Sequence, residues 1–136
     1  MNATEPEYLT ALPTHAARVL GALALLATGA VHLQQYTKLY KDVPTIGTLF
    51  VLNFAGATVI GIGLLVPIKR IAGLLALGGI ALAATAFAFL LISEHTPLFG
   101  FMEPGYDPPA IAAARAAEVV TVLSLCTFLI SKEAMK

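Results

Sequence analysis

Six side chains in this sequence combine chemical capacity with an unusual position: His32, Asn53, Glu94, His95, Arg115 and Glu118. Two imidazoles, two carboxyls, a guanidinium and an amide can exchange protons, coordinate an ion or orient a polar ligand. Each lies within or at the end of a long apolar run. Ionisable groups in such runs are costly in lipid and ordinarily face a bundle interior or a cavity. Counted at about 1.5 Å of rise per residue, all six fall in the same half of their segments, the half away from the chain termini. The expectation is an outward-facing polar pocket, closed inward by Gly, Ala and Leu packing.

The spacing suggests pairings. Arg115 and Glu118 are three residues apart, share one helix face and can pair. Glu118 is the deepest charge and needs a partner or a proton there, with Arg115 or His32 in reach. His32 and His95, at similar depth on different segments, are candidate axial ligands for haem b. With Glu94 or Glu118 they are also candidate ligands for a divalent metal. The sequence has no CxxCH for covalent haem attachment and no HExxH. No nucleophile–base motif is recognisable, so no catalytic residue is assigned and a non-enzymatic role is expected. Glu94 and His95 diverge by about 100° as helical neighbours, and His95 is expected at the helix end, partly wet. His15 reads as a solvated flank, and the single Cys126 as a small core residue.

The elements that must position these groups are helices. Apolar residues make up 58% of the 136 residues and charged ones 12%, against about 25% charged in soluble domains. Eight basic residues balance eight acidic ones. That neutrality excludes a basic nucleic-acid stripe and attachment to anionic lipid by charge alone. Four continuous apolar segments, at about 14–36, 46–67, 68–95 and 109–131, each reach the roughly 20 residues that cross a hydrocarbon core. None shows the alternation of a membrane barrel strand. The reading is all-α: one domain, an integral membrane four-helix bundle of up-down topology.

Pro13 is expected just before the first span, Pro67 at the close of the second, Lys69 and Arg70 at a tight corner, and Pro108 and Pro109 before the fourth. Arg18 followed by an apolar stretch resembles a secretory signal, but the segment is expected to remain as a transmembrane helix. Five of the eight Lys and Arg residues fall on the side of the termini, which favours cytoplasmic termini in a plasma (inner) membrane. Gly56, Gly61 and Gly63, facing Gly73, Gly78 and Gly79, predict a tight antiparallel hairpin of the second and third helices.

Two loops share the pocket side. Tyr36 and Tyr40 with Lys38 and Lys41 read as an interfacial anchor or a lid. The segment HTPLFGFMEPGYDPP carries Leu98, Phe99, Phe101 and Met102 among turn residues, and is expected to fold back on the bundle mouth. Glu103 or Asp107 would then reach Lys38 or Lys41. Phe99, Phe101 and Met102 are also candidates for docking a partner.

Arg18-Val19-Leu20-Gly21 with Gly29-Ala30-Val31-His32, and Gly56 followed by Ile60-Gly61-Ile62-Gly63-Leu64-Leu65 and a basic corner, resemble the DoxX-like group of small four-helix membrane proteins. The likeness covers about residues 15 to 95 and implies a link to redox and quinone-associated membrane systems. The glutamate usual in that group's second span is replaced here by Asn53, and no catalytic residue transfers.

The expected function is an accessory, scaffold or binding subunit of a membrane assembly, as a homo-oligomer or within a larger membrane complex in the lipid bilayer. The alternatives are a haem- or quinone-associated redox protein and a small-solute or proton transporter.

Overall fold

The computed structural model describes residues 7–66 and 68–136 and is all-helical in its long elements. Helix α1 spans Glu7–Gln35, α2 Ile46–Leu65, α3 Ala72–His95 and α4 Pro108–Ala134. All four are long and apolar enough to cross a membrane. The boundaries follow local chemistry. Asp107 caps α4 by accepting from Ala110 N–H at 3.3 Å. Pro108 and Pro109 occupy its first turn, where no donor is needed. Pro13 departs from expectation, because α1 begins earlier and holds it inside the helix. Pro67, expected to close the second span, lies outside the described residues. Lys69 and Arg70 form the turn before α3.

The helices pack as a ring in the order α1, α2, α3, α4, with α1 and α4 closing it. The tight α2–α3 pairing expected from the glycines is not what forms. Helix α1 packs most extensively, against α4 and α2, and α2–α3 is the thinnest of the four neighbouring pairs. Gly56, Gly63 and Gly78 do face the α2–α3 seam, toward Leu82, Leu75 and Ile60, but other notches serve α1 and α4. A Cβ on Gly61 of α2 would fall 2.7 Å from Leu26 of α1. One on Gly79 of α3 would fall 2.7 Å from Leu125 of α4 and 3.1 Å from Leu25 of α1. These close approaches seat α2 against α1, and α3 against α4 and α1.

The core centres on fully buried Leu25, Leu64 and Leu125, with Thr28 and Thr121 buried beside them. Each threonine hydroxyl donates to its own helix four residues back, to Ala24 and Ala117 carbonyls at 3.1 and 2.7 Å. Large apolar side chains cover the outside, with Leu74 71% and Ile130 72% exposed. Arg18 donates to the Leu64 carbonyl, and Lys132 lies against Gly73. These contacts place the 66–71 corner beside the start of α1 and the end of α4. Segments 36–45 and 96–107 meet at the other end, called the loop end below.

Candidate functional site

At the loop end the four helices enclose a cavity of about 190 Å³. A cavity of about 150 Å³ lined by Leu, Ile and Phe is enough to hold benzene, so this one takes a ring-sized body with a little to spare. Its walls are mainly apolar, from Leu49 and Phe50 of α2, Leu82 and Phe89 of α3, and Leu98 and Phe101 above. Leu52 and Thr85 line it and are also exposed, so it reaches the bundle surface between α2 and α3, where the helices pack most thinly.

The polar groups of the cavity arise from backbone geometry that neither composition nor hydropathy specifies. Helix α1 ends in one π-helical turn, Tyr36–Tyr40, closed by Lys41 N–H on the Tyr36 carbonyl at 3.0 Å. Five residues of α-helix would leave Tyr40 about 140° around from Gln35. The wider turn brings both inward, Gln35 to 5% and Tyr40 to 3% exposure. The chain then reverses at Thr45, whose φ of 67° and ψ of −49° form a γ-turn with Ile46 N–H on the Pro44 carbonyl at 2.8 Å. Helix α2 starts there, and Gly47 lets the Tyr40 carbonyl approach to 2.7 Å from where a Cβ would sit.

Segment 96–107 lies over the cavity. Leu98 and Phe101 pair as a two-residue hairpin, with both central residues at positive φ, Phe99 at 51° and Gly100 at 80°. Phe101 turns in, its ring edge-on to Tyr40 at 5.7 Å. Phe99 and Met102 remain exposed, Phe99 touching Phe89 at 6.1 Å. Of the three residues expected to dock a partner, Phe101 is therefore part of the cavity wall. The Tyr40 hydroxyl donates to Glu103, whose other oxygen accepts from Gly105 N–H at 2.9 Å and Tyr106 N–H at 3.3 Å. Glu103 N–H donates to the Ser93 carbonyl at 2.8 Å. Gln35 donates to Asp107 at 3.0 Å, and Lys38 lies 4.0 Å from the same carboxylate. The expected reach of Asp107 to Lys38 is thus present, whereas Glu103 takes Tyr40 instead of a lysine.

Three of the six residues singled out from sequence line the cavity: His32, Asn53 and Glu118. His32 Nδ1 is 2.8 Å from the Thr28 carbonyl, so Nδ1 carries a proton and donates it to that carbonyl. Its ring stands edge-on to Phe50 at 4.9 Å. Asn53 is 5% exposed and its Oδ1 has no partner. Glu118 is 1% exposed and its Oε2 has no partner.

Glu94, His95 and Arg115 lie outside the lining. Arg115 pairs with Glu94 across α3 and α4, not with Glu118 along its own helix. The long guanidinium stem reaches the partly exposed carboxylate at the end of α3, where less water must be stripped away. Arg115 Nε is left without a partner. His95 is exposed, its Nδ1 2.8 Å from the carbonyl of Leu91 in its own helix. Among the described residues no three His, Cys, Asp or Glu side chains gather as a metal cage.

The residues that sequence reading left out of the cluster are Gln35, Tyr40, Ser93 and Glu103. The signal for Tyr40 was the Tyr36–Tyr40 spacing; for Glu103 it was an acid set among apolar loop residues. Chemically, the arrangement is an apolar chamber with the polar side chains of His32, Asn53 and Glu118 on its wall and a polar latch above. Compared with known proteins, this chain matches no protein-family model, no curated protein and no solved structure.

Proposed function

We propose that this chain crosses the plasma (inner) membrane as an up-down four-helix bundle with cytoplasmic termini, and serves as a binding subunit for a small amphipathic molecule. The apolar exterior and the four long helices support insertion. The excess of Lys and Arg at the corner end supports the orientation.

One observation carries the binding reading: Asn53 and Glu118 both line an apolar chamber, and each keeps a buried oxygen, Oδ1 and Oε2, without a partner. A buried polar atom left unpaired costs about 1–3 kcal/mol. A ligand that donates hydrogen bonds to these oxygens recovers that cost. The ligand is therefore a ring-sized apolar body bearing a hydroxyl or similar donor. Its apolar extension leaves between α2 and α3, toward lipid. Beyond Glu118 the core closes on Leu25, Leu64 and Leu125, which makes the chamber a dead-end pocket instead of a conduit.

Two probes of equal shape test this, 4-pentylphenol and pentylbenzene, read by thermal unfolding of the detergent-purified protein. The phenol is expected to bind about 5- to 30-fold more tightly, the equivalent of roughly 1–2 kcal/mol for one buried hydrogen bond. Equal stabilisation by both probes, or by neither, refutes the reading.

A further inference from the structure

A second concavity lies at the opposite end of the bundle, with a volume of about 620 Å³. Its lining brings Arg18 of α1, Lys69 of the corner and Lys132 of α4 to one cleft, with His15 beside them. No carboxylate lines it among the described residues. The ion pairs formed among those residues use Lys38, Arg115 and Lys136, so none neutralises the cleft.

Two of the three cations are held in place. Arg18 is pinned by its bond to the Leu64 carbonyl at the end of α2. Lys132 lies over Phe128, 6.0 Å from the ring centre, and against the notch of Gly73. Helix α3 begins at the same cleft with Ala72, and its first turn has neither a side-chain cap nor an acidic residue. Ala72 N–H is taken by the Ile68 carbonyl at 3.1 Å, and the helix start adds its partial positive charge to that of the three side chains. The rest of the lining is apolar, including Val66, Ile68 and Phe128.

Three cations lining one cleft, with no carboxylate among the described lining residues, repel one another and favour an anionic group such as a phosphodiester. Apolar walls beside the charge suit an anion attached to a hydrocarbon body. We infer that this cleft binds the phosphate head group of an anionic phospholipid. The inference rests on the membrane-spanning part of the preceding reading and is independent of the cavity at the loop end.

The test follows binding of dioleoylphosphatidylglycerol, dioleoylphosphatidylcholine and inorganic phosphate to the full chain in detergent, by shift of the unfolding midpoint at constant ionic strength. The wild type is compared with the Lys69→Gln/Lys132→Gln double variant and with Lys38→Gln/Lys41→Gln at the loop end. Phosphatidylglycerol is expected to raise the midpoint, with phosphatidylcholine and inorganic phosphate doing so weakly. The cleft variant is expected to bind phosphatidylglycerol about 25-fold less tightly, roughly fivefold for each lysine. The loop-end variant is expected to bind as wild type.

Equal shifts from the two lipids, or full retention of phosphatidylglycerol binding in the cleft variant, overturn the inference. Inorganic phosphate that reproduces the lipid's shift overturns the lipid as the source. Alkylphenol binding by the cleft variant reads the loop-end cavity separately, and flotation with liposomes reads insertion, so each failure is assigned to its own claim.

Discussion

Replacing Asn53 with leucine should make the ligand-free protein more stable and a poorer binder. Asn53 sits mid-helix in α2, 5% exposed, with Oδ1 unpartnered. Removing that atom recovers about 1–3 kcal/mol of desolvation cost. Leucine is slightly larger than asparagine, but it borders a cavity of about 190 Å³, so overpacking does not arise. Helix propensity favours leucine by a further few tenths of a kcal/mol. The expected gain is about 1–3 kcal/mol. With each kcal/mol shifting a midpoint by roughly 2–8 °C for chains of this size range, the rise is several degrees. The chain has no Trp, so far-ultraviolet circular dichroism of the helices is the natural readout. The same variant should lose the preference for 4-pentylphenol over pentylbenzene. A variant less stable than wild type would refute the reasoning, because it would mean that Oδ1 is satisfied by the protein's own packing. A more stable variant that keeps the phenol preference would leave the stability argument intact and remove Asn53 from the binding site.

Two further substitutions probe the frame around the cavity. Gly61→Ala puts a Cβ 2.7 Å from Leu26 and 3.3 Å from the Ala22 carbonyl, and should cost about 1–3 kcal/mol by overpacking. Gly56→Ala meets only Leu82 at 3.4 Å and should be neutral or stabilising by up to about 1 kcal/mol; thermal midpoints of the two variants check the contrast. Thr45→Gly relieves a β-branched residue at φ 67° and should stabilise the turn by roughly 1 kcal/mol, offset in part by glycine's greater freedom in the unfolded chain. A lower midpoint in Thr45→Gly would show that the threonine side chain supports the γ-turn.

The four helices are legible in the sequence because each is a continuous apolar run of spanning length, a property of neighbouring residues that needs no partner. Helix ends were legible where a local device marks them, as Asp107 and the two prolines mark α4. That His32, Asn53 and Glu118 share one depth also follows from counting residues along helices. Which of the six polar residues meet is another matter. Arg115 and Glu118 lie on one face of α4, yet Arg115 crosses to Glu94, because a flexible stem selects the better-hydrated carboxylate among those the fold brings within reach. Glycine spacing shows that close approaches occur but not toward which neighbour. Gly63 faces Leu75 across the α2–α3 seam, whereas Gly61 faces α1 and Gly79 faces α4 and α1, and α2–α3 remains the thinner pairing where the cavity reaches the surface. The π-helical turn that carries Tyr40 inward has no signature in hydropathy, and its partner Glu103 is 63 residues away along the chain. The kind of each element was set by local composition. The chamber, its unpartnered oxygens and its latch were decided by tertiary structure, since each depends on side chains from different helices competing for the same few neighbours.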